Sequence, residues 1–434
     1  MNTPIWCTRA VVEPSLREPI LPQWRRVIQV FEHRGLDQPA DRLTAALARP
    51  EISSRIQPGM RVAVGVGSRG IKCLVPVVCA LVRELQRLGA QPFIVPAMGS
   101  HGGATAAGQI ALLAAYGITE SATGVPVLAS MDTVQIGTVL DDVPVYVDAM
   151  AFTQADALIP VARIKPHTDF RGDVESGLFK MLVIGFGKHR GATNLHSFHP
   201  DRFGTVIPAM AARVLDTGKV PFGVAIVEDA YEDPGIIEVV AGERFAEREP
   251  ELLGVAKRWL PRLPFSEADV LLVGQLGKNI SGSGMDPNVT GRFPLASMPS
   301  DVQIGRLVVL DLTEETEGNA TGIGLADVVT RRAADKIDFF KTYVNHVTAR
   351  LLEGAKLPLV AATDLDAVTV AIATLWRTPS DRVRLAWIKN TLELSEVYLT
   401  EPLWQQIEGG DKVVAASGPS PLRFDANGSL LLDG

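Results

Sequence analysis

The chain has 434 residues, 47% of them hydrophobic and 21% charged. This is the balance of a globular protein with a substantial core, long enough for two domains or one with large insertions. Its 42 Lys and Arg against 49 Asp and Glu leave a formal charge of −7, and no basic tract is present, which excludes nucleic acid as a bulk electrostatic partner.

Cys7, Cys73 and Cys79 are too few and too unevenly spaced for a disulfide framework or a zinc ribbon. The N-terminus M-N-T-P-I-W lacks a basic region followed by an apolar stretch, and no apolar run approaches the roughly 18 residues needed to span a bilayer. A cytoplasmic, reducing location is expected, with no membrane partner.

In chain order, Met60–Val66 (M-R-V-A-V-G-V) predicts a strand ending in Gly67-Ser68-Arg69-Gly70. Apolar residues at helical spacing over Leu74–Leu88 predict a helix stopped by Gly89, and Pro92–Pro96 begins a second strand. Strand, Gly-rich turn, helix, strand is the pattern of a parallel βαβ unit. Ala157–Pro160, Phe222–Val227, Asp269–Val273, Arg306–Leu312 and Leu357–Ala361 are further strand candidates. The chain therefore reads as α/β, with two domains of mainly parallel sheet flanked by helices. The Pro-rich stretch Pro261–Pro264 puts the boundary near residue 262, giving domains 1–262 and 263–434. The last 25 or so residues read as a strand and hairpin able to pack back on either domain.

Five of the seven histidines, His101, His167, His189, His196 and His199, fall in Gly-rich, loop-like sequence. Imidazole is the usual metal ligand and the usual proton shuttle near neutral pH. In open α/β sheets, ligands bind outside the carboxyl ends of the strands. Arg69, His101, His167, Gln275 and Lys278 each follow a predicted strand, and are expected to meet in a crevice between the domains. His33 and His346 are expected at the surface, and Trp376 in a pocket or the core.

G-S-R-G after the first strand, G-S-H-G-G, K-P-H followed by S-G-L-F-K, a histidine sixteen positions after that lysine, and a later G-Q-L-G-K occur in this order. Together they resemble the nickel-dependent lactate racemase family over nearly the whole chain. The resemblance implies a nickel-pincer nucleotide (pyridinium-3,5-dithiocarboxylic acid mononucleotide nickel) attached covalently at Lys180, with His196 as the protein's ligand to nickel. It implies His101 and His167 as the acid/base pair, and Arg69, Gln275 and Lys278 as polar groups facing cofactor and substrate. The implied partners are a small 2-hydroxy acid and, transiently, the proteins that make the cofactor; a homo-oligomer is compatible with it.

The implied reaction is racemisation or epimerisation of the 2-hydroxy acid at C2 by reversible hydride transfer. The interval between His167 and Lys180 is longer than the family's usual small-residue loop. It carries Asp169, Arg171, Asp173 and Glu175, and S-G-S-G-M-D-P-N follows Lys278. These polar segments suggest a polyhydroxy substrate, a sugar acid such as the aldonate gluconate. Two other readings fit the residues: a zinc hydrolase or lyase with His101, His167 and His196 as ligands, and a non-catalytic sugar-acid-binding protein.

Overall fold

The computed structural model describes residues 21–68, 70–376, 378–410 and 412–432. The chain forms two compact units, one spanning Glu32–Leu260, the other combining the segment up to Phe31 with Pro261 onward. Both are α/β, and among the described residues no helix is long and apolar enough to cross a membrane.

The sheet of the Glu32–Leu260 unit has five strands, in the order Gln91–Pro96, Arg61–Val66, Ala157–Arg163, Phe222–Glu228 and Pro234–Ala241. The first four are parallel and the last pairs antiparallel. Side chains alternate across the pleat. Ala63, Phe93, Val95, Leu158 and Ala225 enter one core, with the helices Phe203–Leu215 and Phe245–Trp259. Val62, Val64, Ile94, Ile159 and Val224 enter the other, with the helix Leu74–Arg87. Both faces are covered, so the strands read as continuous apolar runs, as parallel strands do. A separate hairpin, Thr133–Val139 with Val143–Asp148, turns through Leu140 and Asp141, both at positive φ. Two consecutive positive-φ residues give the turn that matches strand twist.

The second unit holds a nine-stranded sheet. Leu359–Ala361, Val328–Thr330, Gln303–Leu312, Glu267–Leu276 and Leu385–Ile388 run parallel, and Glu396–Thr400, Gln23–Gln29 and Val413–Ala416 complete the path with antiparallel pairing. Its core gathers Val270, Leu272, Val308 and Val328 against Ala367, Val368 and Ala371 of the helix Asp364–Ala373.

Residues up to 262 were expected to form one domain, yet Gln23–Gln29 belongs to the second sheet. It pairs with both Glu396–Thr400 and Val413–Ala416, and Trp24 packs on Tyr398 with ring centroids 4.8 Å apart. Val413–Ala416 accordingly lies in the second unit's sheet, not on the first unit.

Candidate functional site

His101 sits in the turn after the strand Gln91–Pro96, on backbone that only small residues can follow. Gly99 has φ +60, and a Cβ there would lie 2.8 Å from Ile184 Cγ2. Gly102 has φ +64, and a Cβ would lie 2.6 Å from the Gln109 backbone nitrogen. The buried Gln109 amide closes this turn from inside, its Nε2 donating to Gly99 O at 2.9 Å and His101 O at 3.2 Å. The imidazole is exposed, with Nδ1 2.5 Å from Ser68 Oγ in the turn after the neighbouring strand. Arg69, next to Ser68, lies outside the described residues.

His167 stands in a loop closed at its base by reciprocal hydrogen bonds between Lys165 and Ser176. Glu175 organises this loop. Its buried carboxylate accepts the His167 N–H at 2.7 Å and the Gly172 N–H at 3.3 Å, and pairs with Lys257 Nζ at 2.7 Å. Arg171 donates to the carbonyls of His167 at 2.8 Å and Phe170 at 3.2 Å. These two charges were expected to face substrate; the structure turns both inward, because a loop this long must satisfy its own backbone polar groups. The polar turn after Lys278 is also satisfied internally: Ser283 Oγ donates to Met285 O at 2.9 Å, and Asn288 Nδ2 to Asp286 Oδ1 at 2.7 Å.

The imidazole of His167 is largely buried, its Nδ1 accepting the Asp169 N–H at 3.0 Å. Its Nε2 lies 2.6 Å from Lys180 Nζ. Lys180 ends the short helix Leu178–Lys180, which continues through one wide π turn, Met181–Gly185, and then the helix Lys188–Leu195. Such wide turns are frequent at functional positions in helices. His196 follows directly as the last cap, its ring 5.7 Å from that of Phe203. Phe203 packs on Phe170, and Phe170 on His167, at 5.3 and 4.5 Å between centroids. The two histidines thus border one aromatic cluster, and Lys180 touches the first of them.

Two buried ionisable side chains in this unit were not singled out from the sequence. Glu249, on the helix Phe245–Trp259, accepts the Phe179 N–H at 3.0 Å beneath the turn that carries Lys180. Burial pushes its carboxyl up to about 7, the backbone hydrogen bonds opposing the shift. Lys188 is fully buried and paired with Asp148 at 2.9 Å. Burial lowers its ammonium below the usual lysine range, and Asp148 opposes that. Neither is marked in sequence, because their partners lie far along the chain.

Gln275 and Lys278 belong to the second unit, at the carboxyl end of the strand Glu267–Leu276. The Gln275 N–H donates to Lys389 O at 2.8 Å. The Lys278 ammonium donates to Gly282 O and Asn345 Oδ1, each at 2.8 Å.

His189 and His199 are exposed, the latter 3.3 Å from Asp201. His346, expected at the surface, is buried; its Nδ1 is 2.6 Å from Leu351 O and its Nε2 accepts the Gly322 N–H at 3.3 Å. Trp376 is 89% exposed, so it is not a core residue. Among the described residues, the only triad of metal-capable side chains with donor atoms within 4.8 Å of one another is His33, Asp229 and Asp233. The three-histidine zinc arrangement is therefore not assembled. In that triad, Asp229 is occupied by the N–H groups of Arg34, Tyr231 and Asp233, and Asp233 pairs with Lys72 at 3.0 Å.

No family model matches the chain, and no curated protein matches it. Solved structures do. The fold is similar to that of the lactate racemase apoprotein from Thermoanaerobacterium thermosaccharolyticum, with a TM-score of 0.55 over 88% of this chain and 95% of that one, at 14% identity. A protein from Thermotoga maritima matches with a TM-score of 0.50, over 83% of this chain and 98% of that one, at 13% identity. At these identities the likeness is one of fold.

Proposed function

We propose that the protein is a 2-hydroxy acid racemase or epimerase that works at C2 with a nickel-pincer nucleotide carried on Lys180. The observation that carries this reading is the contact of Lys180 Nζ with His167 Nε2 at 2.6 Å, on a helical run that ends at His196. A fold shared with a lactate racemase apoprotein supports it.

The side chains present fit such a group. Lys180 offers a half-buried primary amine for a covalent tether. His196 offers an imidazole, a donor suited to nickel. Residues of the His101 turn approach the same helical run, since Gly99 passes close to Ile184. When bound, the cofactor supplies a hydride acceptor for C2.

The chain's own residues do the rest. The C2 hydrogen beside a carboxylate is barely acidic, so what the protein must move is the hydroxyl proton. His167 or His101 takes that proton and returns it, giving a planar 2-keto acid that presents either face after rotation. Imidazole is the side chain that most often carries protons near neutral pH, and it can serve transfer in both directions. Arg69, Gln275 and Lys278 are proposed to hold the carboxylate and the cofactor's polar groups, Arg through paired hydrogen bonds.

The substrate is a 2-hydroxy acid. A sugar acid such as gluconate is the specific member proposed, although Arg171, Glu175, Ser283 and Asn288 have partners within the protein and do not argue for it. The test is intact mass with bound-metal analysis on protein made with the cofactor supply intact. An adduct mapped to Lys180 with nickel bound, both absent from Lys180→Ala, is the expected result. An active Lys180→Ala protein that retains nickel overturns the reading.

A further inference from the structure

Lys188 occupies a position that two separate physical costs argue against. Its backbone has φ +55, in the left-handed region that lysine rarely enters. Its side chain is fully buried, where an ammonium loses its hydration. A small neutral residue, or glycine, would relieve both. Strain of this kind persists only where surrounding structure holds it, and such outliers cluster at functional sites.

The surroundings show what holds it. The ammonium lies 2.9 Å from Asp148 Oδ2, 2.6 Å from Pro96 O and 3.4 Å from Gln109 Oε1. Each partner leads to a part of the candidate site. Pro96 ends the strand that leads into the His101 turn. Gln109 holds that turn through the carbonyls of Gly99 and His101. Asp148 caps the helix Ala149–Gln154 through the Ala151 N–H, and its own N–H donates to Phe186 O at 2.6 Å, two residues before Lys188. Lys188 itself stands between the π turn that follows Lys180 and the helix that ends at His196.

We propose that Lys188 is a positioning residue: its buried ammonium pins the turn that carries His101 to the helical run that joins Lys180 to His196. The proposal rests on the reading of those three residues as one site. The pin acts where the run leaves right-handed helical backbone, at the positive φ of Lys188. One cation there holds both this break in the run and the His101 turn. Asp148 compensates the charge as an ion pair, and the Pro96 carbonyl and the Gln109 side-chain oxygen accept from the ammonium.

The test uses the full chain, with and without cofactor. Lys188→Met combined with Asp148→Asn removes both charges together, which avoids leaving one buried and unpaired. Gln109→Leu leaves the ion pair and the Pro96 contact and cuts the bridge through Gln109 to the His101 turn. The primary readout is the NMR resonances of the histidine rings in protein without cofactor, assigned by single His→Ala variants. Both variants are expected to move the His101 resonances and leave exposed His199 in place. In loaded enzyme, kcat should fall about 10²-fold with KM, adduct and nickel content little changed, the signature of misplaced groups.

A folded double variant with His101 and His196 resonances at their original positions overturns the proposal, whatever its thermal stability. If the double variant does not fold, unmoved His101 resonances in Gln109→Leu overturn it. Absence of a Lys180 adduct in the parent overturns the functional reading instead, and the ring resonances then still decide whether the pin exists.

Discussion

The Glu249 carboxylate accepts the backbone N–H of Phe179 at 3.0 Å, so a buried acid supports the turn whose next residue is Lys180. The helix Leu178–Lys180 has no side-chain cap at Gly177, and a carboxyl from another helix fills that role. One oxygen, Oε1, has no hydrogen-bond partner. That arrangement suits a carboxyl that keeps its proton and explains why burial dominates.

A pH dependence follows. The folded-state carboxyl titrates near 7, against an ordinary 4.5 in the unfolded chain. Between these values the folded state holds a proton that the unfolded state has lost. Glu249 therefore contributes no penalty below about 4.5, and its contribution to stability is lost as pH rises to about 7. At about 1.4 kcal/mol per unit, the loss is on the order of 3 kcal/mol. Glu249→Gln cannot ionise and keeps an acceptor for Phe179. Urea unfolding at pH 5 and pH 8 should show the variant gaining on the parent only at the higher pH. An equal difference at both would show that Glu249 does not titrate in this window.

The histidines should separate by function. His196→Ala should release nickel, because it removes the imidazole proposed as the protein's ligand. His101→Ala and His167→Ala should keep nickel and lose about 10²–10⁴-fold in turnover, the usual loss on removing a general acid or base. Metal analysis beside kinetics on each purified variant decides this. Nickel lost from His101→Ala but kept by His196→Ala would exchange the assigned roles.

Much of the sheet was legible because parallel strands covered on both faces are apolar throughout. Arg61–Val66 and Phe222–Glu228 show this directly. Gln23–Gln29 was not legible: Arg25 and Arg26 interrupt its apolar residues Trp24, Val27 and Ile28, and its partner strand lies near the other end of the chain. The Lys180–His196 interval could be read as a spacing, but not as one helical run with a buried break. Lys188 stands in K-H-R, which reads as a solvated surface, and only partners distant in sequence, Asp148, Pro96 and Gln109, make it an interior residue. Glu175 and Arg171 failed for the same reason. Charge in a loop says nothing of direction until the loop's own amide groups are counted. His346 likewise looks like any helix histidine until Leu351 and Gly322 close around it.

Glu175 should matter more than the cation it pairs with. It satisfies two backbone N–H groups in the His167 loop and is fully buried, whereas Lys257 is 38% exposed. Loss of a buried group that leaves donors unsatisfied costs about 1–3 kcal/mol, whereas water can reach and replace the partly exposed Lys257 ammonium. Glu175→Ala should lower the unfolding midpoint clearly more than Lys257→Ala. Equal midpoints would mean that the loop is held by something other than this carboxylate.

The substrate and the fate of the C2 hydrogen can be tested in one experiment. Hydride transfer returns the original hydrogen to C2, whereas removal of a proton exchanges it with solvent. Loaded enzyme in deuterated water should therefore invert C2 of a 2-hydroxy acid without incorporating deuterium there, as followed by proton NMR. Gluconate and lactate presented side by side resolve the substrate. A site built to hydrogen-bond a substrate's hydroxyls can reject an analogue lacking them by up to about 10⁴–10⁵. The proposed aldonate preference thus predicts inversion of gluconate and little turnover of lactate. Efficient lactate racemisation with inert gluconate would remove the sugar-acid preference and leave the chemistry intact. Rapid deuterium incorporation at C2 would remove the hydride mechanism itself. His101 and His167 would then have to act on the carbon rather than on the hydroxyl.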